Sequence, residues 1–276
     1  MKTVPFLQRA RHPFASAHPG LWRDMELFLA PAMGCQGSRL IDCSPHSRFY
    51  YLSYMPLSHN WWEGHGPLGK GCRTTGARAN YVAGEDVQSA DGHPPIACDG
   101  EMTIAMYLKI DNYPPVNAYL AACRDNPTTH VGDFQLTYSP DGALTFSWSD
   151  DSLCTSSLYV YPGTWYNIAV RRWGAAPGLW YVDFWVNGCK SGTLGNVMTD
   201  PNGDINSYTM HLFGGPTRRS LDCCFAAVGL WNRCLHAAEV LALNADPLAP
   251  IRPGPEEPLL DAEWMFPFET CSEVID

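Results

Sequence analysis

The sequence is poor in charge, and poorer still in positive charge. Only 17% of its 276 residues are charged, and 18 Lys and Arg stand against 28 Asp and Glu. A formal net charge of −10 argues against nonspecific nucleic-acid binding, which relies on cationic side chains at phosphates. No apolar run approaches the roughly 18 residues of a membrane-spanning helix, so membrane insertion is not expected. The opening stretch, MKTVPFLQRARHPFASAHPG, has no apolar core of signal-peptide length. Cytoplasmic synthesis in a reduced, soluble state is the expectation. The eleven cysteines then act mainly as small buried hydrophobes. Cys35 and Cys43 flank a short loop and form the first candidate pair should the chain meet an oxidising compartment.

Several signatures of chemistry are missing too. There is no GxSxG and no HExxH, and no pair of CxxC motifs that would suggest structural zinc. Retaining glycosidases need two carboxyls roughly 5 Å apart, which residues i and i+4 on one strand can supply. No Glu within the body of the chain has such a partner on an expected strand. Glu269 and Glu273 have the spacing but lie in the tail, and Asp183 stands alone. The expectation is a protein that is not an enzyme.

What is abundant points to strands and turns. Hydrophobic residues make up 46%, and 24 glycines and 23 prolines punctuate them. The stretch Trp165–Gly188 is the most informative. WYNIAVRRW and LWYVDFWVNG alternate in period two around GAAPG, a hairpin pattern. Tyr166, Ile168 and Val170 share one face, as do Trp180, Val182, Phe184 and Val186, and these seven should enter a core. Pairing Ile168 with Phe184 and Val170 with Val182 is the expected register. It puts Arg171 beside Tyr181 and diagonal to Asp183. The other face carries Asn167, Arg171, Tyr181, Asp183 and Trp185, and is free to bind something.

The rest of the chain reads as further strands in a single domain. They are expected at 21–30, 39–44, 79–82, 102–110, 118–123, 134–138, 143–148, 157–160, 208–213 and 224–231. Ser139-Pro-Asp-Gly142 is a clear hairpin turn. Residues 48–71 read as a long loop dense in aromatics, including Trp61 and Trp62. One short helix is expected over 237–244, stopped by Asp246-Pro247. Residues 1–20 form a basic, Pro- and His-containing arm, 21–249 the domain, and 250–276 an acidic tail with Pro and aromatics.

The order of motifs resembles the laminin G-like branch of the concanavalin A-like lectin/glucanase jelly rolls. The residues that carry the likeness are GLWRDMELFLAP with RLIDCS, ANYV at Ala79, MTIAMYLKI, SPDGALTFSW, WYNIAVRRW with WYVDFWVNG, and FAAVGLWNRCLHAAEVLALNADP. They span residues 20–250; an FDG expected before Tyr81 is replaced by Thr75-Gly76-Ala77. The resemblance implies an all-β fold, a two-sheet antiparallel jelly-roll sandwich with one curved sheet, one short C-terminal helix and extended arms. The phrase ADPLAPIRP also resembles stand-alone proteins of this class in bacteriophages and environmental bacteria.

Two kinds of site are open on this reading. Asp200, Asn202 and Asp204 offer hard oxygens at every second position. They are not an EF-hand, since Ile205 and His211 stand where Gly and Glu are needed. The resemblance implies a loop-bound calcium there; an Asx-rich turn is the plainer alternative. Glycan binding would use Arg171, Tyr181, Asp183 and Trp185 as one patch and Trp61 with Trp62 as another. The plainer alternative for the first patch is an Arg171–Asp183 pair on a solvated sheet. The leading expectation is a non-enzymatic structural or adhesive subunit of a larger assembly. Its setting would be a phage virion, as a decoration or fibre-associated protein, or another extracellular surface. Its partners would be other subunits in a homo-oligomer or lattice, and a glycan. A lone calcium-assisted lectin and a degenerate glycoside hydrolase are the alternatives.

Overall fold

The computed structural model describes residues 18–33, 35–36, 39–46, 49–53, 67–69, 71–74, 81–84, 100–124, 134–148, 152–176, 179–191, 194–196, 209–214 and 220–252. Along the chain the strands are β1 (Met25–Leu29), β2 (Cys35–Gln36), β3 (Arg39–Ile41), β4 (Phe49–Ser53), β5 (Cys72–Thr74) and β6 (Tyr81–Gly84). Then come β7 (Met102–Ile110), β8 (Ala118–Arg124), β9 (Phe134–Tyr138), β10 (Ala143–Trp148), β11 (Ser152–Tyr159) and β12 (Trp165–Ala176). Last are β13 (Leu179–Val186), β14 (Cys189–Lys190), β15 (Leu194–Asn196), β16 (Thr209–Leu212) and β17 (Cys223–Trp231), followed by helix α1 (Ala237–Ala245).

The strands form two antiparallel sheets, the sandwich that the sequence implied. One sheet runs β1-β17-β7-β12-β13-β14, with β15 on β13 and β5 on β17. The other runs β11-β10-β9-β8-β16-β6-β4-β3-β2. Period-two alternation explains the core between them. Met102, Ile104, Met106, Leu108 and Ile110 of β7 point inward, as do Ile168 and Val170 of β12 and Val182, Phe184 and Val186 of β13. They meet Phe134, Leu136 and Tyr138 of β9 and Leu144, Phe146 and Trp148 of β10. Each fully buried Val, Leu, Ile or Phe of this kind contributes about 1.5–3 kcal/mol. Tyr166 and Trp180 are partly buried against the same core.

The first sheet is covered on its other face as well. There Leu21, Trp22, Phe28, Ala105, Ala169, Trp185, Ala227, Trp231, Leu235, Val240 and Leu243 form a second apolar layer. Small side chains at 105, 169 and 227 let α1 come down onto the strands. Thr103 fixes the approach. Its hydroxyl donates to the Arg233 carbonyl (2.9 Å) and accepts from the Leu235 N–H (2.9 Å). Glu239 starts the helix by accepting from the His236 N–H at 2.8 Å, a capping contact. Arg233 then ties both ends of the domain together. It pairs with Glu239 at 2.7 Å and donates to the carbonyls of Gly20 (2.8 Å) and Arg23 (3.0 Å).

Five expectations need correction. The register of β12 on β13 is Ile168↔Val186 and Val170↔Phe184, two residues from the one expected. The strands run on through Gly174 to Ala176 before β13 resumes at Leu179, so the reversal lies later than GAAPG suggested. The stretch at 21–30 is a strand only from Met25, because Pro19–Trp22 forms a 3-10 turn and Asp24 has φ 55. The aromatic stretch 48–71 begins with a strand, β4, rather than a loop. Finally β11 starts at Ser152, five residues before the expected strand, because its Ser- and Thr-rich start carries little hydrophobic signal.

Candidate functional site

The outer face of the β12–β13 hairpin is the best-defined polar cluster. The true register sets Arg171 directly across from Asp183. Arg171 Nε donates to Asp183 Oδ1 at 2.9 Å and Nη2 to Oδ2 at 2.6 Å. Arg171 Nη1 donates to the Leu235 carbonyl at 2.6 Å, just ahead of α1. Trp185 Nε1 donates to Asp183 Oδ1 at 3.0 Å, and Lys190 Nζ lies 2.9 Å from Oδ2. Every acceptor position of the carboxylate thus has a donor.

Burial decides what this cluster can do. Asp183 is fully buried, and Arg171 and Trp185 are only 9% and 7% exposed. Burial works against the charge of Asp183, but hydrogen bonds from Arg171 and Lys190 and their positive charges outweigh it. Its pKa is therefore lowered. Arg171 shows the mirror image: burial opposes its charge, and Asp183 more than compensates, so its pKa is raised. Both stay charged through the neutral range. A carboxyl locked ionised is no general acid.

The four-residue patch expected at Arg171, Tyr181, Asp183 and Trp185 is therefore corrected in part. Arg171, Asp183 and Trp185 are not presented to solvent, because Leu235 and the apolar face of α1 pack on this side of the sheet. Tyr181 remains half-buried at the border. It stacks on Trp173, its cross-strand partner, with ring centroids 5.6 Å apart. Lys190 sits beside that pair, 5.7 Å from the Trp173 ring. Sequence reading missed Trp173 and Lys190. Trp173 lies two residues from Arg171 and so on its face. Lys190 follows Asn187-Gly188, whose φ angles of 49 and 76 make the tight turn that pairs β14 with β13.

The other candidates are quickly placed. Trp61 and Trp62 lie outside the described residues, as do Asp200, Asn202 and Asp204. So does the side chain of Cys35, half of the candidate pair with Cys43. Among the described residues no group of three or more His, Cys, Asp or Glu could hold a metal ion. Other carboxylates are tied into structure. Asp42 accepts from the N–H groups of Phe28 (2.9 Å) and Ser44 (2.8 Å) and from the Ser44 hydroxyl (2.7 Å). Asp111 pairs with Arg73 and Lys109, each at 3.2 Å. Three of the thiols are not activated: burial raises Cys154 and Cys223 and pushes Cys234 up to about 11.

Comparison with known proteins agrees with this architecture. None of the curated proteins matches the chain. Among solved structures, Trypanosoma rangeli sialidase is similar over 80% of this chain and 32% of its own, with 13% identity and a TM-score of 0.57. The binding domain of Paraclostridial Mosquitocidal Protein 1 is similar over 80% of this chain and 52% of its own (14% identity, TM-score 0.56). The binding domain of botulinum neurotoxin serotype G is similar over 80% and 50% (13% identity, TM-score 0.56). This chain thus spans about a third of the sialidase and about half of each toxin domain. A laminin G-type family model, described as the concanavalin A-like lectin/glucanases superfamily, matches residues 79–241. With that match over more than half its length, the chain belongs to the concanavalin A-like lectin/glucanases superfamily.

Proposed function

We propose that this chain is a non-enzymatic, carbohydrate-binding adhesive module that works within a larger assembly. The observation that carries the reading is the state of Asp183. It lies on the outer face of the central hairpin, where a ligand-facing carboxylate would be expected, yet all its acceptor positions are taken by Arg171, Trp185 and Lys190. Glu239 is engaged in the same way: against the cost of burial, Arg233 and the His236 N–H lower its pKa. Hydrolysis needs one carboxyl poised to give a proton, and these two are held as anions. Binding needs only surface rings and hydroxyls on a rigid frame, and the sandwich leaves aromatic rings at its surface.

The fold is one that solved binding domains of two toxins also use. Fold alone does not fix function, so the glycan and the assembly rest on the proposal. A phage virion or other extracellular surface is the setting we favour, supported by the likeness of ADPLAPIRP to phage proteins of this class. Calcium at Asp200, Asn202 and Asp204 belongs to the same proposal as an optional aid.

A glycan array and a hydrolysis assay test it together. Binding to at least one glycan class with no release of reducing ends is the expected result. Sugar release that persists in EDTA would overturn the non-enzymatic reading. No binding at high protein concentration would sink the carbohydrate reading.

A further inference from the structure

Six large apolar side chains are strongly exposed among the described residues: Tyr113, Val116, Leu153, Tyr159, Tyr161 and Leu241. Three of them, the tyrosines, gather on one rim of the sandwich. Tyr113 and Val116 lie on the β7–β8 connection, while Tyr159 ends β11 and Tyr161 follows it. Three turns meet at this rim, and Val160 is their hub. The Val160 N–H donates to the Gly142 carbonyl at 2.9 Å, and the Tyr138 hydroxyl donates to the Val160 carbonyl at 2.9 Å. The Gly163 N–H donates to the Ile110 carbonyl at 2.7 Å, tying the third turn to the end of β7.

The tyrosines are positioned by these contacts. Tyr113 stacks on buried Tyr138, with centroids 6.3 Å apart and planes 4° apart. Its ring also lies against Gly142, where a Cβ would come 3.5 Å from it and 2.7 Å from the Val160 carbonyl oxygen. Gly142 has φ 92, so glycine suits this turn twice over. Tyr159 is paired with Ala143 across β11 and β10. The Tyr161 N–H donates to the Tyr166 hydroxyl at 3.3 Å. Tyr113, Tyr159 and Tyr161 are 44%, 48% and 56% exposed, so each shows solvent about half of its surface.

The fixed charge narrows the ligand. Arg73 lies 3.2 Å from Asp111 and 3.7 Å from Asp222, and Lys109 lies 3.2 Å from Asp111. The two cations are matched by two carboxylates. Asp141, in the turn beside Tyr113, adds one more negative charge; hydrogen bonds from Ser139 and the Ala143 N–H hold its pKa low. Among the described residues the rim therefore has no surplus positive charge for a carboxylated or sulfated sugar. It has ring faces for stacking, phenol hydroxyls for hydrogen bonding and a rigid backbone that limits the entropy lost on binding.

We infer that the rim built by Tyr113, Tyr159 and Tyr161 is a stacking site for neutral glycans. The inference rests on the carbohydrate-binding reading and assigns it a place on the fold. It differs from the Tyr181–Trp173 border, which lies on the sheet face beside Lys190.

Isothermal titration with neutral polysaccharides (a glucan, a galactan, a mannan and a xylan) and a polyuronate tests it. Tyr113→Ala, Tyr159→Ala, Tyr161→Ala, Tyr161→Phe and Tyr181→Ala are compared, each with its melting temperature. Removing a rim ring should weaken binding of a neutral polymer about tenfold, the scale of an aromatic contact residue. Tyr161→Phe keeps the ring and should lose less. Unchanged binding in all three rim Ala variants, with loss in Tyr181→Ala, would overturn the rim while leaving the function standing. Preference for the polyuronate would overturn the neutral class. Wild-type protein that binds none of the polymers, nor any glycan on the array, would fail the function itself. Self-association in sedimentation, lost in Tyr161→Ala without any glycan bound, would assign the rim to a protein contact and overturn the inference.

Discussion

Arg171 and Asp183 face each other on one rung of the β12–β13 ladder and close two hydrogen bonds, at 2.9 and 2.6 Å, inside the protein. This pair sits where the sheet, the β14 turn and the lead-in to α1 converge. Removing one partner leaves the other charged and buried, which costs about 3–5 kcal/mol. Asp183→Asn should approach that cost, because an amide turns a donor toward one of two cations. Arg171→Met with Asp183→Leu should cost much less than either single change, since the one charge left behind, Lys190, is 38% exposed and can be hydrated. Urea midpoints at constant m-value measure both.

The same groups set an acid limit. Asp183 has a folded pKa below its unfolded value near 3.9, and Glu239 one below its own near 4.3. Their contribution is full above those unfolded values and is lost as pH falls through the folded ones. Stability from these two groups should therefore be flat above about pH 5 and decline below about pH 4. Urea midpoints from pH 7 to pH 3 should show that fall. Asp183→Asn should flatten it. An Asp183→Asn curve parallel to wild type would refute the assignment.

The fold was legible where the pattern is strictly local. Met102–Ile110, Phe134–Tyr138 and Ala143–Trp148 have the expected bounds, because apolar alternation and the Ser139–Gly142 turn define them alone. The hairpin's inner face was legible for the same reason. Its register was not, since Gly174-Ala175-Ala176 looks like a turn but continues the strand. The outer face misled for a different reason. Asn167, Arg171 and Asp183 read as solvated, yet a segment some sixty residues later covers them. Thr103 and Leu235 make that cover possible, and nothing near Arg171 in sequence announces it. The exposed tyrosines carry no sequence signal of their own: Tyr159 and Tyr161 flank buried Val160, and only the turn places them outside.

Gly229 gives a third prediction. A Cβ there would lie 2.4 and 2.7 Å from ring atoms of Trp231 and 3.1 Å from Phe28. Trp231 cannot swing away, being fully buried with Nε1 donating to the Leu21 carbonyl at 2.7 Å. Gly229→Ala should therefore overpack the second apolar layer and cost about 1–3 kcal/mol. It should also loosen the 3-10 turn at Pro19–Trp22. Limited proteolysis should cut near residues 18–24 faster than in wild type, at a temperature where the far-UV spectrum is unchanged.

Arg172 gives the fourth. Its side chain points into the sandwich, not away from it, and is fully buried. The guanidinium lies between two indoles, 3.8 Å from the Trp148 centroid and 3.7 Å from that of Trp180, and donates to the Gly100 carbonyl. A flat cation fits that slot; an ammonium does not fill it, and keeps a hydration shell that the slot excludes. Arg172→Lys should then be costly despite conserving charge. Two desolvated cation–π contacts, each worth about 2 kcal/mol, set a loss of several kcal/mol as the scale. Arg172→Leu removes the charge and should recover part of that loss by packing between the rings. The expected order of melting temperature is wild type, then Leu, then Lys. Trp fluorescence supplies a local check, because both replacements change the surroundings of Trp148 and Trp180. If Lys melts with wild type, the slot does not select the guanidinium.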